Sequence, residues 1–394
     1  MVFGYIGDML PSRRTPFLAG LVLVFLSTLC FALAKSLWIL LAARLLEGLA
    51  TAMVTVVGYA LLTDVVEREH LGTAMGYTSM GLSLGLMIGP VIGGILYEYC
   101  GYFSVFLPVL CLIGIEIILR SMVVGKSSRP NSSPDSPERS QSKSPMHASA
   151  DGDGSPNTST ESDALLAPKD QPEAPATSTY RVLLTSPRFL VALIGILLLN
   201  SMACGFDSIL TPYLRDNFNM HAASAGALFL TLAIPMLLAP LFGKLTDRYG
   251  PKVVMTLGLV LLVPPLILLS LISHQTDLPI PKIAVVLAFL GLAFAIAMPP
   301  FRIEAILVVD ALEEQKPGRF GPNGANSRTF GLVNLVTATG GLVGPLYSGF
   351  VRIAAGWKVL VWSNAGLSVV LLALVLLITA GKRRKNADAG EATV

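Results

Sequence analysis

The chain has 394 residues, of which 53% are hydrophobic and only 13% are charged, and its mean hydropathy is +0.68. This composition excludes a soluble globular protein and indicates a polytopic membrane protein. The net charge of +3 excludes no class by itself, and the four cysteines show no repeated spacing, so neither a disulfide framework nor a zinc site is predicted.

Ten stretches are long and apolar enough to cross a bilayer, which requires about 20 residues in a helix. Because lipid offers no hydrogen-bond partner to a bare peptide group, each stretch is predicted to be helical. A polar segment rich in Ser, Pro, Asp and Glu separates the first four stretches from the last six. In chain order, the predicted spans lie near 17–35, 38–63, 73–97, 103–123, 189–213, 223–243, 252–273, 283–309, 328–352 and 357–380.

The predicted fold is therefore an all-α polytopic membrane protein with two helix bundles. The first bundle, 1–125, holds four spans, and the second, 187–381, holds six. The polar segment between them, 126–186, is expected to be a disordered loop, and a tail follows at 382–394. Lys and Arg are concentrated on one side of the spans, so the positive-inside rule predicts that both termini and the long loop are cytoplasmic.

The two bundles carry similar motifs in the same order, which indicates an internal repeat. GYIGDMLPSRR at 4–14 matches GKLTDRYGPK at 243–252, because both contain Gly, three residues, Asp and then basic residues. GLMIGPVIGG at 85–94 matches GGLVGPLYSG at 340–349. Two spans precede the charged turn in the second half and none precedes it in the first. The repeat therefore predicts that two N-terminal spans are absent from this sequence.

These motifs, with RLLEG at 44–48 and GLSLGLMIGPVIGG at 81–94, resemble those of the major facilitator superfamily. Within that family they are similar to the twelve-span drug/proton antiporter group, which includes the vesicular amine transporters. The resemblance implies six plus six spans, of which four plus six are present here. It also implies alternating access about a central site, with a small organic compound exported in exchange for protons. RLLEG resembles the motif of the family's fourth span, although it lies in the second span predicted here. It departs from that motif, which usually has Gln where this chain has Glu47.

The charged turns are predicted to form a conformational latch. The resemblance implies that the carboxylates of Asp8 and Asp247 face a neighbouring helix N-terminus or an arginine and hold the inward-closed state. Ordinary flanking charge under the positive-inside rule is the alternative. The residues assigned to the latch are Gly4, Asp8, Arg13, Arg14, Gly243, Asp247, Arg248 and Lys252.

The segment GLSLGLMIGPVIGG, which resembles the motif of the family's fifth span, has four glycines at every fourth position, so they lie on one helical face. Its proline interrupts the backbone hydrogen bonds of the helix. Small residues on one stripe let two helices approach closely, which generic packing would explain. The resemblance implies instead a hinge or seal typical of antiporters. The motif residues are Gly81, Gly85, Gly89, Pro90, Gly93 and Gly94.

Ionisable residues within the spans are candidates for a proton and substrate pathway, because a charge at bilayer depth normally faces a cavity or a partner. Arg44 and Glu47 lie one turn apart and are expected to pair. Glu47 is then a candidate proton site that Arg44 tunes, and a static structural pair is the alternative. Asp207 looks equivalent to an acidic residue of vesicular amine transporters, which suggests a cation or proton site. The alternative is a carboxylate near the outer end of its span that is simply exposed to water.

Arg302 and Glu304 complete the predicted pathway. They follow Pro299-Pro300, and these prolines are expected to open the backbone hydrogen-bond ladder so that polar groups line a cavity. Residues two apart point to different sides of a helix, so the two are not expected to pair with each other. At least one of them is expected to face the pathway.

The sequence therefore predicts a secondary transporter that exports small amphipathic or cationic organic molecules, with protons and the lipid bilayer as its other partners. A truncated, transport-inactive or regulatory relative is the alternative. No enzyme is expected, because paired catalytic Asp, Ser/Lys or HExxH arrangements do not occur. We expect a monomer without cofactor, metal or nucleic acid. ESDALL at 161–166 has the form of an acidic-dileucine sorting signal, which would suit a vacuolar or endosomal membrane. The plasma membrane is the other predicted location.

Overall fold

A computed structural model of the chain describes its helices and the turns between them. Apart from short turns, the described residues are helical, and they contain no strand. The description covers residues 14–122, 176–218, 228, 230–271, 280–317, 319–320 and 325–391.

Four helices form the first bundle, and a short helix followed by longer ones forms the second. The first bundle contains α1 (Arg14–Leu33), α2 (Leu37–Val65), α3 (Leu71–Cys100) and α4 (Phe106–Met122). The second bundle contains α5 (Ala176–Thr185), α6 (Pro187–Phe218), α7 (Ala239–Tyr249), α8 (Pro251–Leu271), α9 (Ile280–Gln315) and α10 (Asn326–Glu391).

Eight of the described helical stretches are long and apolar enough to cross a membrane, and one of these, Leu230–Tyr249, consists of α7 and the residues before it. Another is α10, which Gly356 breaks into two segments because its φ of 84° is not helical. The 30 residues of α3, outside those eight, extend about 45 Å, which also exceeds the bilayer core. The described helices therefore supply four segments in the first bundle and six in the second. The predicted all-α polytopic fold is confirmed.

Glycines with positive φ set two of the helix ends. Gly101 (φ 83°) follows α3, and Gly250 (φ 81°) follows α7, where its N–H donates to the Thr246 carbonyl at 2.9 Å. Glycine adopts this left-handed conformation without the penalty that a Cβ brings. Pro251 then begins α8, where its missing N–H costs nothing. We call the end of the molecule where α2 ends, α3 begins and α7 ends the Asp247 end.

The second copy of the glycine motif packs closely within its bundle. A Cβ on Gly340 would lie 2.8 Å from the Leu197 carbonyl oxygen, and one on Gly344 would overlap the Ser201 carbonyl. The backbone of α10 therefore approaches that of α6 directly, as small-residue stripes allow.

The first copy does not pack in this way against the described residues, so the generic packing alternative is not supported. A Cβ on Gly81, Gly85 or Gly89 would meet no described atom within 4 Å, and one on Gly93 would meet only Val105, at 3.7 Å. The packed face of α3 carries Gly76 instead, and Gly81 lies about 140° around the helix from it. Pro90 and Gly94 lie in α3, but their surroundings are outside the description. The proposed hinge or seal stays a prediction.

The end of the long loop is also corrected. Residues 176–185 form helix α5 although the polar segment was predicted to be disordered to 186. Leu183 is fully buried, and the Thr179 hydroxyl accepts a hydrogen bond from Arg328 at 2.7 Å. Leu183 and the partly buried Val182 pack into the core of the second bundle, which accounts for this helix. Residues 123–175 are outside the description. At the other terminus, the helical backbone of α10 continues to Glu391, into the predicted tail.

Candidate substrate cavity and latch

A cavity of about 140 Å³ lies between the two bundles. The first bundle contributes a stretch of α3, including Ser79 and Ser83, and the second contributes α6, the segment before α7, and α9. Most of the wall is apolar, with a few polar groups, which is typical of small-molecule sites. The polar and charged lining residues are Ser79, Ser83, Asn200, Asp207 and Arg302.

Asp207 reaches the cavity from α6. Asn200, Cys204 and Asp207 are four and three residues apart, so they share one face of this helix, and that face lines the cavity. Asn200 also donates to the Thr337 carbonyl at 2.7 Å, which ties α6 to α10. Cys204 and Asn200 were not assigned to the predicted pathway, although their spacing from Asp207 was a usable signal.

Arg302 reaches the same cavity from α9 and also contacts the first bundle. Its Nη1 donates to the Tyr59 hydroxyl at 3.3 Å, and its guanidinium carbon lies 5.8 Å from the centre of the Tyr59 ring. That ring stacks on Phe330 of α10 at a centroid distance of 5.2 Å. Arg302 therefore joins the cavity wall to the interface between the bundles.

Glu304 lies outside this cavity, although it was predicted with Arg302. Its Oε1 accepts two hydrogen bonds from Arg188, at 3.0 Å from Nε and 2.6 Å from Nη2. Its side chain is 8% exposed, and no described group hydrogen-bonds to Oε2. A separate small pocket contains this pair together with Lys252. Of the two charges after Pro299-Pro300, the structure thus places only Arg302 on the cavity.

The Glu304 pair is expected to stabilise the second bundle. Glu304→Gln removes the counter-charge of Arg188, so we expect lower thermal stability in detergent, by about 1–2 kcal/mol because Arg188 remains about a quarter exposed. The double change Glu304→Gln with Arg188→Gln removes both charges and should recover part of the loss. An unchanged melting temperature in Glu304→Gln would show that the pair contributes nothing.

Arg44 and Glu47 form the predicted pair, with Nη1 and Oε2 3.0 Å apart. The guanidinium also lies 4.2 Å from the centre of the Phe31 ring. Both side chains lie on the surface of the first bundle, with exposed fractions of 63% and 36%, and neither lines the cavity. The role of Glu47 as a proton site stays a prediction, and its position among the described residues does not support it.

Asp247 joins the two bundles at one end of the molecule. Its Oδ1 accepts a hydrogen bond from the Gly72 N–H at 2.6 Å. Its Oδ2 accepts from the Thr73 N–H at 2.8 Å and from the Thr73 hydroxyl at 2.6 Å. The first N–H groups of a helix have no intrahelical partner, and no side chain of the preceding residue, His70, caps α3. The carboxylate of one bundle thus caps a helix of the other, where the helix dipole also favours a negative charge.

Two glycines let α3 and α7 approach closely enough for this cap. A Cβ on Gly243 would overlap the Gly72 carbonyl, and a Cβ on Gly72 would take the place of an Asp247 oxygen. Residues four apart lie on the same face of a helix. The Gly-x-x-x-Asp spacing of 243–247 therefore places the close contact and the cap side by side on α7.

Other polar contacts cross between the bundles at this end. Arg68 and Asp310 form an ion pair at 2.9 Å, and Asn326 donates to Asp64 at 3.5 Å. Sequence analysis assigned no role to these residues, because a charge at a span end gives no signal of its partner.

The other residues predicted for the latch are placed differently. The guanidinium carbon of Arg248 lies 5.5 Å from the ring centre of Tyr249, the next residue in the chain, and Lys252 lines the Glu304 pocket. Arg14 is the first residue of α1, and its side chain is outside the description, as are Gly4, Asp8 and Arg13. The first-half copy of the latch therefore stays a prediction.

No metal site is evident in the described part of the chain. Nowhere in it do three His, Cys, Asp or Glu side chains come together as metal ligands do. The expectation that the protein needs no metal or cofactor stays a prediction.

Comparison with known proteins identifies the family. The sequence profile of the Major Facilitator Superfamily matches residues 1–313. The chain belongs to the Major Facilitator Superfamily. It is 30% identical to the MFS-type transporter ppzB of Metarhizium majus over 403 aligned positions, which cover 97% of this chain and 87% of that protein.

More distant relatives are similar to this chain in sequence or in fold. The synaptic vesicular amine transporter of Bos taurus is 24% identical over 72% of this chain and 46% of its own length. The crystal structure of the human organic anion transporter MFSD10 (TETRAN) has the same fold, with a TM-score of 0.65, 18% identity, and coverage of 95% of this chain and 79% of that one. The predicted family is confirmed, and the chain is an integral multi-pass membrane protein of a transporter family.

Proposed function

We propose that this superfamily member is a secondary active transporter that exports small amphipathic or cationic organic molecules in exchange for protons. The observation that carries the proposal is the cavity between the bundles, which contains an acidic side chain and lies near a cap that one bundle places on the other. A site at the interface of two bundles becomes accessible from either side when the bundles rock against each other.

The latch gives this motion two discrete states. When the bundles meet at the Asp247 end, the Asp247 carboxylate satisfies N–H groups that α3 cannot satisfy itself. When they separate there, water must replace the carboxylate at the helix N-terminus. The contact thus favours the state that is closed at the Asp247 end, and rocking must break it in every cycle.

Asp207 is the acid best placed to couple protons to the substrate. It lines the cavity, whereas Glu47 and Glu304 do not. A carboxylate that has bound a proton no longer attracts a cation, so one side chain can exchange the two. Entry of a proton from one side would release the cation, and loss of the proton on the other side would restore the site.

This coupling predicts a strong effect of Asp207→Asn. We expect the variant, reconstituted in liposomes, to lose pH-gradient-driven transport of radiolabelled phenethylamine, a one-ring cation, by about tenfold or more, because the amide neither binds a proton nor pairs with a cation. Glu98→Gln on the exposed end of α3 makes the same chemical change outside the cavity and should leave transport intact. Full pH-driven transport in Asp207→Asn would contradict the coupling role.

A parallel variant distinguishes the two candidate acids. If Asp207 is the coupling acid, Glu47→Gln should change pH-driven transport by less than about twofold, since this residue forms an exposed pair outside the cavity. Loss of transport in Glu47→Gln with retention in Asp207→Asn would assign the proton site to Glu47.

The relatives support the substrate class and an intracellular membrane. One group of them is named as synaptic vesicular amine transporters, and amines are cations at neutral pH. We propose cytoplasmic termini on the basis of the positive-inside rule, and a monomer in the plasma membrane or in a vacuolar or endosomal membrane. Substrate binding without any flux would favour the transport-inactive alternative.

A further inference from the structure

Two opposite charges line the central cavity without pairing. Asp207 and Arg302 both border it, and in the described part of the chain neither has an ion-pair partner. Asp207 is exposed and Arg302 is half-buried, so a molecule in the cavity can reach both charges. An occupant with a positive and a negative group would pair with both.

The two charges stand at opposite ends of the cavity wall. Among the α6 lining residues, Asp207 is the farthest from the Asp247 end, and among those of α9, Arg302 is the nearest to it. Arg302 also borders a small void beside Asn200. Asn200 and Asp207 are seven residues apart on α6, a rise of about 10 Å. Asp207 and Arg302 therefore lie at different depths of the cavity and form no direct ion pair in the described structure.

Arg302 has donors available for an anionic group. A guanidinium carries five N–H donors, and among the described residues its one hydrogen-bond partner is the Tyr59 hydroxyl. A planar fork of two N–H groups matches a carboxylate, and such bidentate pairs are strong and specific.

The wall between the charges is apolar. Phe294, Met298 and Met236 line it. The volume of about 140 Å³ suits one aromatic ring, since a cavity of about 150 Å³ holds benzene.

We propose that the cavity binds dipolar substrates, with a cationic group at Asp207, an apolar body between, and a carboxylate or similar anionic group at Arg302. This inference rests on the proposed transport function and narrows its substrate class from amphipathic or cationic molecules to molecules that carry both charges. Arg302 is then the specificity-determining residue.

Equilibrium binding of one compound and two of its derivatives tests the proposal. The dipolar probe is 4-(aminomethyl)phenylacetic acid, which carries an ammonium group and a carboxylate on either side of a benzene ring. Its methyl ester keeps only the cation, and its N-acetyl derivative keeps only the anion. For the purified full chain in nanodiscs, we expect the dipolar probe to bind about tenfold more tightly than either derivative.

Variants assign each charge to its residue. Arg302→Gln should bind the dipolar probe and the methyl ester equally, and Asp207→Asn should bind the dipolar probe and the N-acetyl derivative equally. Arg302→Lys and Asp207→Glu keep the charges and should keep part of the preference, which separates charge from folding. Arg120→Gln and Glu98→Gln change exposed charges outside the cavity and should leave all three affinities unchanged.

Two results would overturn the proposal. One is equal or tighter binding of the methyl ester by the unmodified chain, and the other is no detectable binding of the dipolar probe. Failure of the proposed transport function looks different, because the binding preference would persist while pH-driven flux was absent.

Discussion

Gly243→Val is expected to abolish transport. A Cβ at this position already overlaps the Gly72 carbonyl, and valine adds two methyl groups beyond it, so α3 and α7 can no longer meet backbone to backbone. Overpacking of this kind costs up to about 3 kcal/mol, on the order of a hundredfold in the population of the closed state. The measurement is pH-driven flux in liposomes.

Its control is Gly366→Val in α10, where a Cβ would meet no described atom within 4 Å. That variant should transport normally. Thermal unfolding of both variants shows whether either has lost its fold. Normal flux in a folded Gly243→Val variant would show that the close approach of the two helices is not needed for the cycle.

Asp247→Asn is expected to weaken the closed state at the same end without adding bulk. Asparagine loses the charge that favours the α3 N-terminus, and its amide nitrogen cannot accept the hydrogen bonds that one carboxylate oxygen accepts. Loss of charge-assisted hydrogen bonds costs about 2 kcal/mol, which shifts the two states by about thirtyfold. Flux should fall because the cavity now stays open at this end.

The readout for Asp247→Asn is alkylation of a cysteine introduced at Tyr59, between the cavity and the Asp247 end. Labelling from the side of the Asp247 end should become faster than in the same cysteine variant with Asp247 intact. Asp310→Asn serves as a comparison, because it breaks one exposed ion pair and should have a smaller effect. Equal labelling rates with and without Asp247→Asn would contradict the latch.

The sequence was sufficient for the fold, and the family resemblance anticipated the surroundings of Asp247. Apolar runs of span length predict the helices, because the bilayer leaves a backbone no other way to satisfy its hydrogen bonds. The family resemblance of the Gly-x-x-x-Asp motif implies a carboxylate that faces a helix N-terminus or an arginine, and the structure places Asp247 at the start of α3. The identity of the partner residues, Gly72 and Thr73, depends on how two distant helices meet, which no local pattern encodes.

Positions that depend on helix rotation were not predictable. Arg302 and Glu304 are two residues apart in the same apolar run, yet one lines the cavity and the other pairs with Arg188 inside its bundle. The stripe that includes Gly81 has the pattern of a packing face, but α3 turns another face toward α7. In an apolar helix all sides tolerate lipid or protein, so hydrophobic periodicity does not show which side packs.

The most direct measurement of alternating access is the distance between spin labels on opposite bundles at the Asp247 end. Cysteines at Glu69, beside the start of α3, and at Lys244, on α7, are both exposed and suit labelling in a background without the native cysteines. Pulsed electron spin resonance in nanodiscs should give two distances, with the longer one enriched by Asp247→Asn and by a change of pH. A single short distance under all these conditions would contradict alternating access through this latch.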